Sequence, residues 1–160
     1  ESVTNDGGGG YMDLTESMAV SVSAMDAQRR RLDVIASNLA NAQSTKTDQG
    51  GPYRRRDVVF HTAPVEPKFP KLLRVADFGQ KANQLDGVRV AQVSEDARPG
   101  QAVYDPRHPD ADAKGFVQMP NVNVMEEMVN MMSASRAYEA NVQAVNAVRT
   151  MWNRALEIGR

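Results

Sequence analysis

Four residues with metal-ligand character lie close together in the second half of the chain: Asp105, His108, Asp110 and Asp112. Carboxylate oxygens and an imidazole within so short a segment could hold a divalent cation. Their spacing, however, matches no loop with a defined coordination pattern, and the prolines among them favour a turn. We therefore expect a solvated turn here rather than a metal site.

The sequence contains none of the common catalytic patterns: no glycine-rich phosphate loop, no nucleophile elbow and no HExxH. The absence of cysteine excludes disulfides, thiolate ligands and cysteine nucleophiles. The net charge of −1, from 19 basic and 20 acidic residues, gives no overall field that would attract nucleic acid or an anionic membrane. We expect no enzyme, no cofactor and no metal.

Two basic triples could still meet a charged partner. Arg29–Arg31 falls within a predicted helix, where consecutive side chains point in different directions and form no single patch. Arg54–Arg56 follows Tyr53 and could meet phosphate or an acidic protein surface. A patch that faces protein or solvent is the preferred interpretation of the second triple.

Two long amphipathic helices are the elements that would position these residues. The C-terminal one is predicted over Asn123–Glu157, where Asn123 and Glu126 have the spacing of a capping box. The N-terminal one is predicted to begin at Asp13 and to run to about Ala42. A helix of the C-terminal span is roughly 50 Å long, more than the width of a compact domain, so its apolar face needs a partner.

The apolar positions recur at three- and four-residue steps, and the two helices can therefore lie side by side as a coiled-coil pair. They are the candidate assembly interface. It comprises Met18, Val22, Met25, Leu32, Ile35, Leu39, Val124, Met128, Met131, Tyr138, Val142, Val145, Trp152 and Leu156. Asparagines interrupt both helices, and they either fix the register between buried helices or face water.

Between the helices the chain changes character. All eight prolines lie from Pro52 to Pro120, and Tyr53–Phe60 and Gly87–Val93 are predicted as short strands. Weaker strand candidates are Phe69–Phe78 and Gly115–Met119. The predicted fold is α+β: a terminal helical domain (12–45 and 121–160), a loop-rich and mostly β insert (46–120), and a flexible glycine-rich extension (1–11), which is either a natural tail or an addition before a native start at Met12.

The segment from Leu32 to Ala42 (LDVIASNLANA) resembles the N-terminal signature of bacterial flagellar rod and hook proteins. The run from Asn121 to Val142 is similar to the matching C-terminal end of the proximal rod members of that family, and the tyrosine-aspartate-proline segment at Tyr104–Pro106 lies in the expected order. The resemblance covers nearly everything from Met12 onwards. Gln43–Gly51 departs from it, since the family usually has a phenylalanine or an arginine-rich segment there.

The resemblance implies a structural subunit of the flagellar basal-body rod, in the cell envelope. Such a subunit would pass through the flagellar type III exporter without a cleaved signal and assemble helically with copies of itself and other rod proteins, with basal-body ring proteins as further partners. In the family, the terminal helices form an inner tube around the export channel, and the insert lies outside. No nucleic acid and no membrane span are expected.

Three alternatives remain at this stage. The chain could be another axial subunit of the rod and hook family. A regulatory coiled-coil protein would explain the helices but not the proline-rich insert. An enzyme would have to build its site from the loop 105–112.

Overall fold

The computed structural model describes residues 9–64 and 86–158, within which one long helix precedes and another follows two short antiparallel sheets. The predicted α+β class is confirmed. The elements in chain order are α1 (Gly9–Ala40), β1 (Arg56–Pro64), β2 (Asp86–Glu95), β3 (Ala102–Tyr104), β4 (Phe116–Gln118) and α2 (Val124–Ile158).

The two helices form a long hairpin. The C-terminal end of α1 meets the first turns of α2, where the side chains of Asn38 and Glu127 are hydrogen-bonded, so the helices run antiparallel. With 32 and 35 residues, they are about 48 and 52 Å long at roughly 1.5 Å per residue. Small buried residues, Ala27 on α1 and Ala134 on α2, contribute to the buried core.

The start of α2 agrees with the prediction. The side-chain oxygen of Asn123 accepts hydrogen bonds from the backbone N–H groups of Met125 and Glu126, at 3.0 and 3.4 Å. Asn123 is therefore the N-cap of α2. The start of α1 differs, because the helix begins at Gly9 and thus precedes the predicted capping pattern at Asp13.

The turn after α1 brings the chain back onto the helix that it has just left. Gly50 and Gly51 both have φ near +80°, a conformation that glycine adopts without strain. The backbone N–H of Tyr53 then donates to the carbonyl of Ser44 at 3.0 Å and closes the loop. As a result, the tyrosine side chain returns to the end of α1.

Strands β1 and β2 pair antiparallel and pack on α1. Val58 is buried, and the N–H of Val88 donates to the hydroxyl of Ser23 on α1 at 3.0 Å. The register shifts between Val59 and Phe60, so that Ala91 on β2 forms a bulge. Both strong strand predictions are confirmed, as is the weaker one at Gly115–Met119, which is β4. Phe69–Phe78 lies outside the described residues.

A salt bridge follows β2 and gives a pH-dependent prediction. The hydrogen bond from the side chain of Arg98 lowers the pKa of Asp96 from 3.8 to about 2. Because the folded pKa is depressed, the pair contributes stability above pH 3.8, and this contribution is lost as the pH falls towards 2. We expect NMR titration to give a pKa near 2 for Asp96, and a value close to the ordinary one in Arg98→Ala. An unchanged titration in this variant would contradict the assignment.

Candidate functional site

A buried polar network joins α1, the segment before β1 and α2. Asn38 is 1% exposed, and its amide uses all of its hydrogen-bonding capacity. Its NH₂ group donates to the carbonyl of Arg56 at 2.8 Å and to Glu127 at 2.9 Å. Its oxygen accepts from the hydroxyl of Tyr53 at 3.0 Å and from the N–H of Arg56 at 2.9 Å. Asn38 therefore fixes where the returning chain crosses the helix.

Glu127 is the charged centre of this network. Its side chain is fully buried, and it accepts the Nε–H of Arg55 at 2.8 Å as well as the amide of Asn38. Burial of Arg55 acts to lower its pKa, but the hydrogen bond and the charge of Glu127 outweigh burial, and the pKa lies above its ordinary value. The backbone N–H of Arg55 donates to Asn121 at 2.8 Å. The network therefore holds α1 and α2 together at the base of the insert.

The structure corrects the interpretation of the second basic triple. Arg55 is committed to Glu127, and Arg56 lies over the ring of Tyr53 at 5.8 Å and next to Glu95 at 3.4 Å. Of the three arginines, only Arg54 forms no salt bridge with another described residue, and its side chain is exposed. The triple is thus mainly an internal tie and not one basic patch.

The loop with metal-ligand character forms turns, as predicted. Asp105 and Asp112 accept hydrogen bonds from backbone N–H groups within the loop, at 2.8–3.1 Å. Nδ1 of His108 accepts from the N–H of Asp110, and Asp110 accepts the hydroxyl of Thr45 at 2.7 Å. Among the described residues, no group of three acidic or imidazole side chains is placed to hold a metal ion.

The structure divides the candidate assembly interface into two sets. One set lies along the contact between α1 and α2 or beside it, where Ile35 is buried and the rest are half-buried; it comprises Met25, Leu32, Ile35, Leu39, Met131, Tyr138, Val142 and Val145. The other set is exposed and comprises Met18, Val22, Val124, Met128, Trp152 and Leu156. Helix pairing therefore explains only the first set.

Sequence reasoning missed a second apolar stripe, which lies on the side of α2 that faces away from α1. We call it the outer stripe of α2. Its members are exposed and follow one another at three- and four-residue steps or their sums: Met125, Val129, Met132, Ala140, Ala147, Met151 and Ile158. The spacing of these residues is present in the sequence, but the stripe that begins at Val124 contains more large apolar side chains.

A long antiparallel helix pair with apolar side chains exposed along it defines a class of protein that assembles with other subunits. The comparisons with known proteins specify the class. The family described as "Flagella basal body rod protein" matches residues 18–46, and the one described as "Flagellar basal body rod FlgEFG protein C-terminal" matches residues 113–158.

Relatives match along almost the whole chain. Each of the following is called "Flagellar basal-body rod protein FlgC". The protein of Borreliella burgdorferi is 44% identical over 92% of this chain and 98% of its own length. That of Bacillus subtilis is 42% identical, and that of Escherichia coli O6:H1 is 44% identical, each over 93% of this chain and 100% of its own length. The chain belongs to the FlgC family of flagellar basal-body rod proteins.

It follows that the chain is a structural subunit of the proximal rod and is located in the flagellar basal body. The family is structural, so the prediction that the chain is not an enzyme is confirmed by this membership. Within the part of the chain that the structure covers, neither helix combines the length and apolar character that crossing a membrane requires.

Proposed function

We propose that the chain polymerises through its terminal helices, residues 12–45 and 121–160, into the axial shaft that transmits torque and encloses the export channel. The insert, residues 46–120, lies on the outside of that shaft. The outer surfaces of α1 and α2 make the contacts between subunits, while the polar network keeps the hairpin and the insert in a fixed relation. Membership of a rod family supports assembly with copies of the chain and with other rod proteins.

One observation carries the proposal. The first two turns of α2 expose Val124, Met125, Met128 and Val129 to solvent, with 39 to 70% of each residue accessible. Clustered apolar side chains of this size on a monomer indicate a surface that another molecule covers. Burying them releases on the order of 25 cal/mol per Å² of apolar area, which favours association.

Two further contacts belong to the proposal. A subunit that ends in the rod must cross the inner membrane, and we propose that it does so through the flagellar type III export apparatus. Basal-body ring proteins would surround the finished rod at the level of the insert. Chemical cross-linking of purified basal bodies, followed by mass spectrometry, would identify both kinds of neighbour.

The substitution Met128→Asp tests assembly separately from folding. Met128 is 45% exposed, so a carboxylate there should change the free energy of unfolding by less than about 1 kcal/mol. In the assembled rod the same carboxylate would be buried without a partner, and we expect loss of motility and of basal bodies with a complete rod. The measurement is swimming in soft agar together with electron microscopy of basal bodies.

Met128→Leu is the matched control and should swim normally, because it keeps the apolar volume. Val142→Asp is less informative, since Val142 is half-buried near α1 and the variant should also destabilise the helix pair. Normal motility and normal basal bodies in Met128→Asp would show that this surface is not an assembly contact.

A further inference from the structure

The outer stripe of α2 is turned about half a revolution from the side of α2 that contacts α1. Its positions repeat at three- and four-residue steps or their sums over almost the full helix, from Met125 to Ile158. Alanine residues in the middle of the stripe, such as Ala140 and Ala147, would allow another helix to approach closely. This geometry suits a second helix that lies along α2.

The exposed side of α1 is the matching surface. It lies away from both α2 and the β hairpin, and we call it the outer face of α1: Met18, Val22, Asp26, Arg29, Asp33 and Ala36. It is apolar at both ends and charged in the middle. The outer stripe of α2 likewise combines apolar and polar residues, with Arg136, Gln143 and Arg154 between its apolar members.

One acidic side chain of α1 and one basic side chain of α2 have complementary charges. Asp33 and Arg136 are both exposed, and neither forms a salt bridge with another described residue. Each would therefore bring an unpaired charge of opposite sign to a shared contact. Such a pair favours the correct register and disfavours wrong partners.

The spacing of the two surfaces coincides. Val22 is four positions after Met18, and Met151 is four positions after Ala147. Asp33 is eleven positions after Val22, and Ala147 is eleven positions after Arg136. When two such helices run antiparallel, Met18 lies opposite Met151, Val22 opposite Ala147 and Asp33 opposite Arg136.

We propose that the outer stripe of α2 packs against the outer face of α1 of the next copy of this chain, with Arg136 paired to the next copy's Asp33. This inference rests on the proposed function and adds the identity of one neighbour and the register of the contact. The register is close to the one within a subunit, where Asn38 meets Glu127. Relative to the pairing of α1 and α2 within a subunit, the α1 of the next copy is displaced along the helix axis by four residues. At roughly 1.5 Å per residue, this displacement is about 6 Å.

The contact is heterologous, because it joins two different surfaces of the same chain. Every copy then offers one free α1 face and one free α2 stripe, so the array can extend instead of closing as a dimer. An assembly of two α2 stripes would instead be isologous and would end at two copies.

Cysteine cross-linking tests the register, since the natural chain has no cysteine that could interfere. The double variant Val22→Cys with Ala147→Cys places the two thiols opposite each other in adjacent copies and on different sides of one hairpin. In basal bodies purified from cells that carry this variant, mild oxidation should give disulfide-linked dimers, trimers and longer species. Each single variant should remain monomeric on a non-reducing gel.

Three results would overturn the inference. Dimers from Ala147→Cys alone would mean that two α2 stripes meet. Dimers from Val22→Cys alone would mean that two α1 faces meet. A double variant that is present in basal bodies but is not linked to itself would mean that another protein covers these surfaces. Absence of the natural chain from purified basal bodies would instead refute its proposed role in the shaft, so the two failures are distinguishable.

A charge exchange provides the second measurement. We expect Asp33→Arg and Arg136→Asp each to reduce the number of basal bodies with a complete rod by on the order of tenfold, through like-charge contact. The variant that carries both substitutions restores opposite charges in every contact and should recover most of the loss. Arg89→Asp, at an exposed position of β2, is the control and should assemble normally. A double variant no better than the single ones would contradict the pairing.

Discussion

Replacement of Glu127 by alanine is expected to lower the free energy of unfolding of the chain by about 3–5 kcal/mol, the usual effect of removing one partner of a buried ion pair. Glu127 is fully buried, and Arg55 is only 14% exposed at its side chain. Without the carboxylate, the Nε–H of Arg55 and one N–H of Asn38 lose their acceptors and cannot be fully hydrated. Urea denaturation followed by circular dichroism would measure the change.

A double-mutant cycle separates the pair from general loss of packing. Glu127→Leu combined with Arg55→Met removes both charges and keeps most of the volume. We expect this double variant to be more stable than the sum of the two single losses predicts, by at least about 1 kcal/mol. Additive effects, or a loss below 1 kcal/mol in Glu127→Ala, would mean that the network adds little to the fold.

The sequence predicted the helices because their signals are local. The cap at Asn123 and the spacing of apolar residues depend on near neighbours in the chain, and α2 begins at Val124 as expected. The strands around Val58 and Val88 were recognisable from β-branched residues for the same reason. The bulge at Ala91 was not, because it depends on the register between two segments far apart in sequence.

The contact face of α2 was predicted only in part. A stripe begun at Val124 includes Met128, which is exposed, and passes over Glu127, which is the most buried side chain of the helix. A prediction from apolar spacing places every glutamate, including Glu127, on the exposed side of the helix. Its burial is possible only because Arg55 and Asn38, from distant segments, satisfy the carboxylate. Such compensation across the fold leaves no periodic signal.

The sequence left open whether the asparagines of the two helices fix the register between them or face water, and the structure shows that this differs from one position to another. Asn38 is buried and has four hydrogen bonds, whereas Asn146 is exposed. Only the first can fix the position of α1 relative to α2 and the insert, in the way that a buried asparagine fixes register in coiled coils. In the proposed rod, torque would pass between the helical shaft and the insert through this junction.

Replacement of Gly100 by alanine should destabilise the chain by about 3 kcal/mol, at the upper end of the range for overpacking. An added Cβ would overlap the carbonyl oxygen of Met119 and would lie 2.9 Å from the backbone of Pro120. These are backbone atoms, and the N–H of Met119 is already bonded to the carbonyl of Gln101 at 2.9 Å, so the segment before β3 and the segment after β4 cannot separate without losing that bond. Gly50→Ala is the control: its Cβ meets nothing within 4 Å, and only the positive φ adds strain, of about 1 kcal/mol. If the two variants have equal denaturation midpoints, the close approach of Gly100 to Met119 does not limit stability.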